Sequence, residues 1–498
     1  MTADWLDLHE QFLLCRDSRH IPTEWPSHSA HGWQFSHHPS LPVITLLAPD
    51  RTEVGWLVGY AINDSGALLT SGQAVTVPAI DCDLIERWVY SHSGRFIVLF
   101  VTENLQRVYL DPCGSLSAVY CPQLECLAST VTVIPNVGDT CELTDLARLV
   151  GVPANAMYPL DLTPRKNVWR LLPNHVLDIK RWVAARHWPK AELPAASDDN
   201  AAEAMDQAAE KIVGYVHRHI GALCRSKPVL LRLTAGVDSR MLLACARPWI
   251  KLMTVFTAEL DPLDATAWLD CSTAALLARR LGLRYFRFSY CHPRSKDLEQ
   301  WLIRTGRNVG EERGWQACTT LKQLPPHHAD LIGQAGEVSR GFYWKQDDTE
   351  KTVISADRLL TEFRAAEHPS ARAAIAAWLR AMPCRDPFLI LDLFYIEQRL
   401  GCWGGVYPYG FAQDGRFIIF PLCHRAIFEA MLRLPTSVRR TGRLPQRIIE
   451  REWPELLAYP VNRARGLQRV GMAWVKTKKK RKSLRRRLLS ASGELLPS

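Results

Sequence analysis

The chain of 498 residues is too long for one compact core, so two or three domains are expected. Its 47% hydrophobic and 22% charged content is that of a soluble globular protein, and no apolar run approaches the ~18–20 residues that cross a bilayer. Nine of the ten net positive charges lie in one run, KTKKKRKSLRRR at 476–487, which argues for a basic tail and against a basic nucleic-acid groove. The polar, acidic start, MTADWLDLHEQ, does not read as a secretory signal. The 14 Cys are scattered singly, only Cys121 and Cys126 are near each other, and there is no CxxC pair. This pattern fits reduced thiols in a cytoplasm and argues against a zinc site or a working dithiol.

Residues 1–150 read as mainly β. Apolar runs at 43–47, 96–101 and 107–110 are set apart by polar turns, with Asn104 in a hairpin position between the last two. A turn at 111–114 precedes strands at 118–121 and 127–130. The segment 141–152 (CELTDLARLVGV) has helical character, and 171–182 (LLPNHVLDIKRW) reads as a small hairpin. The polar stretch 189–200 is a linker. Asp198 or Asp199 then caps a helix with Glu203 in its first turn, and Met205, Ala208, Ile212, Val216, Ile220 and Leu223 share one helical face.

Beyond that helix an apolar run at 229–231 passes through LTAGVDSR into helix formers at 241–246, the pattern of strand, tight loop and helix. Strands at 252–257, 283–288 and 329–332, with a helix at 268–281, predict a parallel sheet covered by helices on both faces. Ligands in such sheets bind beyond the carboxyl ends of the strands, where the 234–240 and 333–337 loops lie. From 355 onward the chain reads as helical, including 388–401 and 423–434.

In the 234–240 loop, small Ala235 and Gly236 let backbone approach a ligand closely. Ser239 and Arg240 fall at a helix N-terminus, where unpaired N–H groups and the macrodipole favour an anion. Thr234 and Ser239 add hydroxyls, and Asp238 adds a carboxylate suited to Mg²⁺ beside phosphate. The same residues also suit an ordinary strand–turn–helix joint.

Four motifs in this order resemble the asparagine synthetase family, over nearly the whole chain. TAGVDS at 234–239 is similar to the family's SGGxDS pyrophosphate loop. LIGQAGE at 331–337 is similar to its LSGEGSD loop, with Glu337 in place of the Asp. FYIEQR at 394–399 resembles a helix whose acidic residue lines the site in some members, and FPLCHR at 420–425 resembles the PFLD-type turn. In the N-terminal part, GRF at 94–96 and its strand, with DPCG at 111–114 and on to Tyr120, resemble the GxFA…RDxxGxxPLYY region of the glutaminase domain.

The resemblance implies an α/β protein in four parts. These are an N-terminal Ntn-hydrolase-like, β-rich α+β domain at 1–188, a linker at 189–200, an ATP-dependent PP-loop synthetase domain at 201–475 with a parallel sheet and a helical C-terminal part, and a basic tail at 476–498. A working glutaminase of the family needs Cys at position 2. Here Thr2 is followed by Ala3, Asp4 and Trp5, so a degenerate glutaminase-like scaffold is expected. The family's β-lactam synthetases and lasso-peptide macrolactam cyclases also lack this Cys, and in them the attacking amine belongs to the substrate.

The implied cofactors are ATP and Mg²⁺. Leu233, Thr234, Ala235, Gly236, Asp238, Ser239, Arg240, Phe256, Gly333 and Gln334 are the implied nucleotide site, and Asp238 and Glu337 the implied metal ligands. Gln334 stands where the family often has Glu or Tyr and cannot act as a base, which leaves Glu397 or Tyr395 for that role. The family often places a Lys after the PFLD helix; PVNRARG at 460–466 has none, so Arg463 or Arg465 would carry the charge, although a guanidinium fork is not an ammonium. Arg340, Arg443 and Arg447 are further cations. The expected function is an AMP-forming, ATP-dependent carbon–nitrogen ligase that adenylates a small-molecule or peptide carboxylate and couples it to an amine, in natural-product or peptide (macrolactam, lasso-peptide-like) biosynthesis. The alternatives are a catalytically impaired ATP-binding scaffold and an asparagine-synthetase-like enzyme using free ammonia. A protein partner in a biosynthetic complex is compatible with this reading, nucleic acid is not expected, and the cytoplasm is the expected location.

Overall fold

A computed structural model describes residues 4–150 and 157–491. Thr2, the last residues of the helix expected at 141–152, and 492–498 of the basic tail lie outside the described residues.

Two β-sheets form the first part of the chain. The six-stranded sheet runs Trp169–Leu171, Ala118–Cys121, Cys126–Ala128, Phe12–Cys15, Trp33–His37, Ser27–Ala30, with every neighbour antiparallel. The seven-stranded sheet runs Val183–Arg186, His175–Asp178, Gln106–Leu110, Ser93–Val101, Glu53–Ile62, Val43–Leu47, Ala74–Thr76, and only its last pair is parallel. Phe12, Leu14, Trp33 and Phe35 of the first sheet share one core with Trp56, Val58, Ile97 and Leu99 of the second, so the two are packed face to face. Phe35 stacks on Trp56 across the gap at 5.2 Å; burying each such ring contributes roughly 1.5–3 kcal/mol. The first strand begins at Phe12, and Trp5–Asp7 is a short 3₁₀ turn.

The strands expected in this part are present, and one expectation is corrected. Residues 171–182 are not a hairpin. Trp169–Leu171 pairs with Ala118–Cys121 in one sheet, whereas His175–Asp178 pairs with Gln106–Leu110 and Val183–Arg186 in the other. Pro173 and Asn174 carry the chain between sheets, and Asn174 adopts φ 65°, a conformation Asn tolerates.

The 189–197 segment has no regular structure but is tied on several sides: Lys190 bridges Asp83 and Glu86, and Ala196 N–H donates to Arg433 O at 2.8 Å. The helix that follows spans Ala201–Ser226, with Glu203 in its first turn. Its N-cap is Asn200, not Asp198 or Asp199, because Ser197 has already capped a 3₁₀ turn through Asp198–Asn200.

The third sheet is wholly parallel, in the order Tyr285–Phe288, Met253–Ala258, Val229–Arg232, Ala329–Leu331, Phe417–Ile419. The fifth strand falls in the stretch expected to be helical. Three residues without alternation, all buried, carry no periodic signal that separates strand from helix. In chain order the sheet grows outward on one side of Val229–Arg232 and then returns to its other side. The order therefore reverses between Val229–Arg232 and Ala329–Leu331, and this switch point positions the site. Tyr60 of the seven-stranded sheet stacks on Phe417 of the parallel sheet at 3.8 Å, so the parts share packed aromatic surface. The final helix, Leu467–Ala491, runs through the start of the basic segment without a break, and no described helix is long and apolar enough to cross a membrane.

Candidate functional site

The loop after Val229–Arg232 is drawn tight by its own hydroxyls. Leu233 N–H extends the sheet to Phe256 O at 2.9 Å, and Thr257 Oγ1 donates to Leu233 O at 2.6 Å. Thr234 N–H then donates to Ser239 Oγ at 3.0 Å, the two hydroxyls lie 2.9 Å apart, and Gly236 N–H donates to Thr234 Oγ1 at 3.1 Å. The chain enters the helix Val237–Cys245 with Gly236 as an N-cap that has no side chain to offer, so the first-turn N–H groups keep no side-chain acceptor. Ala235 N–H is taken by Asp270 Oδ1 at 2.8 Å, an acid from the helix Ala265–Leu281 that sequence reading did not single out.

Arg240 is corrected from a phosphate contact to a positioning residue. It is fully buried, and its terminal nitrogens donate to the carbonyls of Ala235 (2.9 Å), Leu456 (3.2 Å), Tyr459 (2.6 Å) and Pro460 (3.1 Å). Asn462 N–H adds a bond to Ala235 O at 3.0 Å. The 456–462 segment is thereby fastened across the outside of the loop.

Across the switch point, the 333–337 loop leans directly on Asp238. A Cβ built on Gly333 would lie 3.1 Å from Asp238 O, and one on Gly336 only 2.5 Å from Asp238 Oδ1, so a side chain at 336 would displace the Asp238 carboxylate. Between them Ala335 is buried at φ 74°, an uncommon conformation for alanine that places strain at this turn. Arg340 forks onto both oxygens of Asp238 at 2.5 and 2.7 Å and comes within 3.7 Å of Glu337. Tyr395 OH donates to Glu337 Oε2 at 2.9 Å. Burial and the negative charge of Asp238 push the Glu337 carboxyl above its usual range, against the pull of Arg340. Burial and Glu337 push the Tyr395 phenol well above its ordinary value, so Tyr395 stays protonated and serves as a donor, not as a base.

Glu397 is corrected in the same way. It is fully buried and accepts from Asn174 Nδ2 (2.8 Å), both terminal nitrogens of Arg186 (2.5 and 2.8 Å) and Trp378 Nε1 (2.6 Å). Burial pushes its carboxyl up, but Arg186, His175 and these bonds outweigh burial and hold it below its ordinary value. With its acceptor sites filled it joins the N-terminal sheets to the segment Tyr395–Gly404 and is not available as a base.

The remaining candidates divide. Gln334 lies on the site loop, and its buried Oε1 has no hydrogen-bond partner among the described residues; a ligand N–H or hydroxyl would satisfy it. Phe256 is buried in the sheet beneath the guanidinium of Arg232, 5.5 Å away, and Arg232 forks onto Asp330 in the neighbouring strand. Arg463 is exposed and follows Asn462, beside the loop. Arg465 is exposed too, but a nitrogen of its fork lies 3.4 Å from Ala458 O. Arg447 is held by Asp206 at 2.6 Å and takes no part.

Among the described residues, Asp111, Cys113 and Cys423 form one buried group with metal-ligand atom types. Asp111 already accepts from the N–H groups of Cys113, Ser115 and Leu116, the Ser115 hydroxyl and the Cys423 thiol. Burial raises both thiols, so the group reads as a hydrogen-bonded turn and not as a thiolate site.

No protein-family model matches the chain, and no curated protein matches it.

Proposed function

We propose that the chain is an ATP-dependent, AMP-forming amide ligase. On this reading the parallel-sheet part is a PP-loop synthetase domain, and the paired antiparallel sheets are a degenerate, Ntn-like glutaminase scaffold. One observation carries it: Asp238 and Glu337, from the loops after the two strands at the switch point, converge on one guanidinium beside an uncapped helix N-terminus. The N–H groups at the start of Val237–Cys245 would receive a departing pyrophosphate. Asp238 and Glu337 already surround a cationic group, so the pair suits Mg²⁺, which would neutralise phosphate charge there; Arg340 must release Asp238 for this. In the reaction, a substrate carboxylate oxygen bonds to the α-phosphorus as the bond to pyrophosphate breaks. An amine nitrogen then bonds to the acyl carbon as AMP leaves and the amine loses a proton. Peptide or natural-product acids are the substrate class carried over from the motif resemblance, with the amine supplied by substrate or as free ammonia.

ATP–pyrophosphate exchange with a panel of carboxylic acids tests this reading. Acid-dependent exchange is expected in the wild type, reduced by about 100-fold or more in Asp238→Ala, the scale of losing one group that stabilises developing charge. The Asp238–Arg340 fork favours a second reading, an ATP-binding scaffold whose metal ligand is already occupied. Nucleotide-dependent stabilisation of the fold with no exchange for any acid would select it.

A further inference from the structure

Beside Tyr395 a cavity of about 350 Å³ is lined by Arg313, Arg364, Arg399, Phe342, Tyr343 and Trp403, together with Glu362. The geometry points to this cavity as the subsite for a second, non-reacting anionic group of the acyl substrate, attached through a flat, ring-like segment. The assignment rests on the ligase reading for the word substrate; the anion site itself rests on four observations.

First, the cavity lies one side chain away from the carboxylate site. Tyr395, hydrogen-bonded to Glu337, lies 5.1 Å from the Phe342 ring. Arg399 sits over Phe342 at 4.8 Å and 5.9 Å from Trp403, and Arg313 is 5.8 Å from Trp403. Only the buried side chain of Tyr395 stands between Glu337 and this series of rings and guanidinium groups.

Second, the local backbone is specialised. Tyr395–Gly404 is a π-helix, a rare conformation concentrated at functional sites. It delivers Tyr395, Arg399 and Trp403, four residues apart, to this one line.

Third, the charge is unbalanced. Among the described residues, Arg313, Arg364 and Arg399 have no carboxylate within 4.0 Å, and the one acid in the lining, Glu362, is already paired with Lys345 at 2.9 Å. Guanidinium forks match planar carboxylate and phosphate oxygens.

Fourth, the size suits a single-ring acid. A volume of about 350 Å³ is at the small end of ligand sites. An arginine-lined cavity set apart from the helix N-terminus leaves the nucleotide phosphates their own cradle.

The test has a nucleotide-free arm and a reaction arm, both on the full-length protein. In the first, the affinities of benzoate, its neutral isostere benzamide, and phenyl phosphate are measured by saturation-transfer NMR and tryptophan fluorescence. Benzoate is expected to bind at least about 10-fold more tightly than benzamide, the scale of one charge-assisted hydrogen bond. That preference should vanish in Arg399→Met and in Arg313→Met, and return in part in Arg399→Lys, which keeps the charge and loses the fork. A still tighter phenyl phosphate supports the cavity and identifies the remote group as a phosphate ester. In the second arm, terephthalate should support pyrophosphate exchange at least about 10-fold better in kcat/KM than 4-carbamoylbenzoate, with the ratio collapsing in Arg399→Met. Equal binding of benzoate and benzamide, or a preference that survives in both methionine variants, overturns the anion site whatever the exchange assay gives. A preference lost in the variants without exchange for any acid upholds the anion site and overturns the ligase reading.

Discussion

Arg340 holds Asp238 by both carboxylate oxygens, at 2.5 and 2.7 Å, while Glu337 lies 3.7 Å from the same guanidinium. Removing that cation leaves two carboxylates facing each other with no countercharge. Arg340→Gln is expected to lose about 1–3 kcal/mol of stability in metal-free buffer. Millimolar Mg²⁺ should then restore more of its Tm than it adds to the wild type, because Asp238 no longer has to exchange partners. An identical Mg²⁺ response in the two proteins, read by thermal melts with EDTA controls, would count against a cation site at this pair.

Gly336 is packed against the same carboxylate. A methyl group there would sit 2.5 Å from Asp238 Oδ1 and 3.0 Å from its Cγ. Gly336→Ala should cost about 1–3 kcal/mol as the two loops separate. In the Asp238→Ala background, where the clash is relieved, the same change should cost far less. A double-mutant cycle by urea unfolding gives the coupling directly, and additive effects would mean that the loops are not in contact.

For Glu397 the expected defect is in stability. Glu397→Gln withdraws the charge that compensates buried Arg186, so a loss of about 3–5 kcal/mol is expected. A general base replaced by its amide would instead show an intact melting curve with activity gone. Denaturant unfolding of Glu397→Gln, beside pyrophosphate exchange on the fraction that stays folded, separates the two.

Acid sensitivity has an identifiable source in His219. Burial, reinforced by the neighbouring His424 ring, holds its imidazole at about 3 against an ordinary 6.5. Its Nδ1 lies 2.9 Å from Pro421 O and 3.1 Å from Ser93 Oγ, and the side chain is buried. Because the unfolded chain takes up this proton first, the group's contribution is complete above pH 6.5 and is lost progressively as pH falls toward 3. His219→Gln should flatten stability against pH across that interval by on the order of a few kcal/mol. An unchanged slope in pH-dependent urea melts would refute the assignment.

The switch-point loops were legible because their sequence is locally decisive. An apolar run ending in TAGVDS can only leave a buried strand by a tight turn, and the helix formers after it admit one continuation. The fifth strand was not legible, because Phe417–Ile419 has the composition of a buried helix as much as of a strand. Contacts were legible only where the partner is near in sequence. Asp238, Ser239 and Glu337 were put on two loops at strand ends, and the structure brings those loops together. Glu397 was misassigned because what disqualifies it, Arg186, is 211 positions away and arrives through a change of sheet at Asn174 that read as a hairpin. Arg240 was misread for the same reason: residues 456–460 take three of the four hydrogen bonds made by its terminal nitrogens.

That clamp has a consequence for the order in which the protein is completed during synthesis. The strand Val229–Arg232, the loop and the helix after it are all translated before residue 246, yet the carbonyls that anchor Arg240 belong to residues 456, 459 and 460. A nascent chain stopped short of them carries a buried guanidinium with three of its four acceptors missing, and a loop held on one side only. Full shape at the switch point is therefore acquired only after residue 460 has been made, and products truncated before it are left with an unfinished loop.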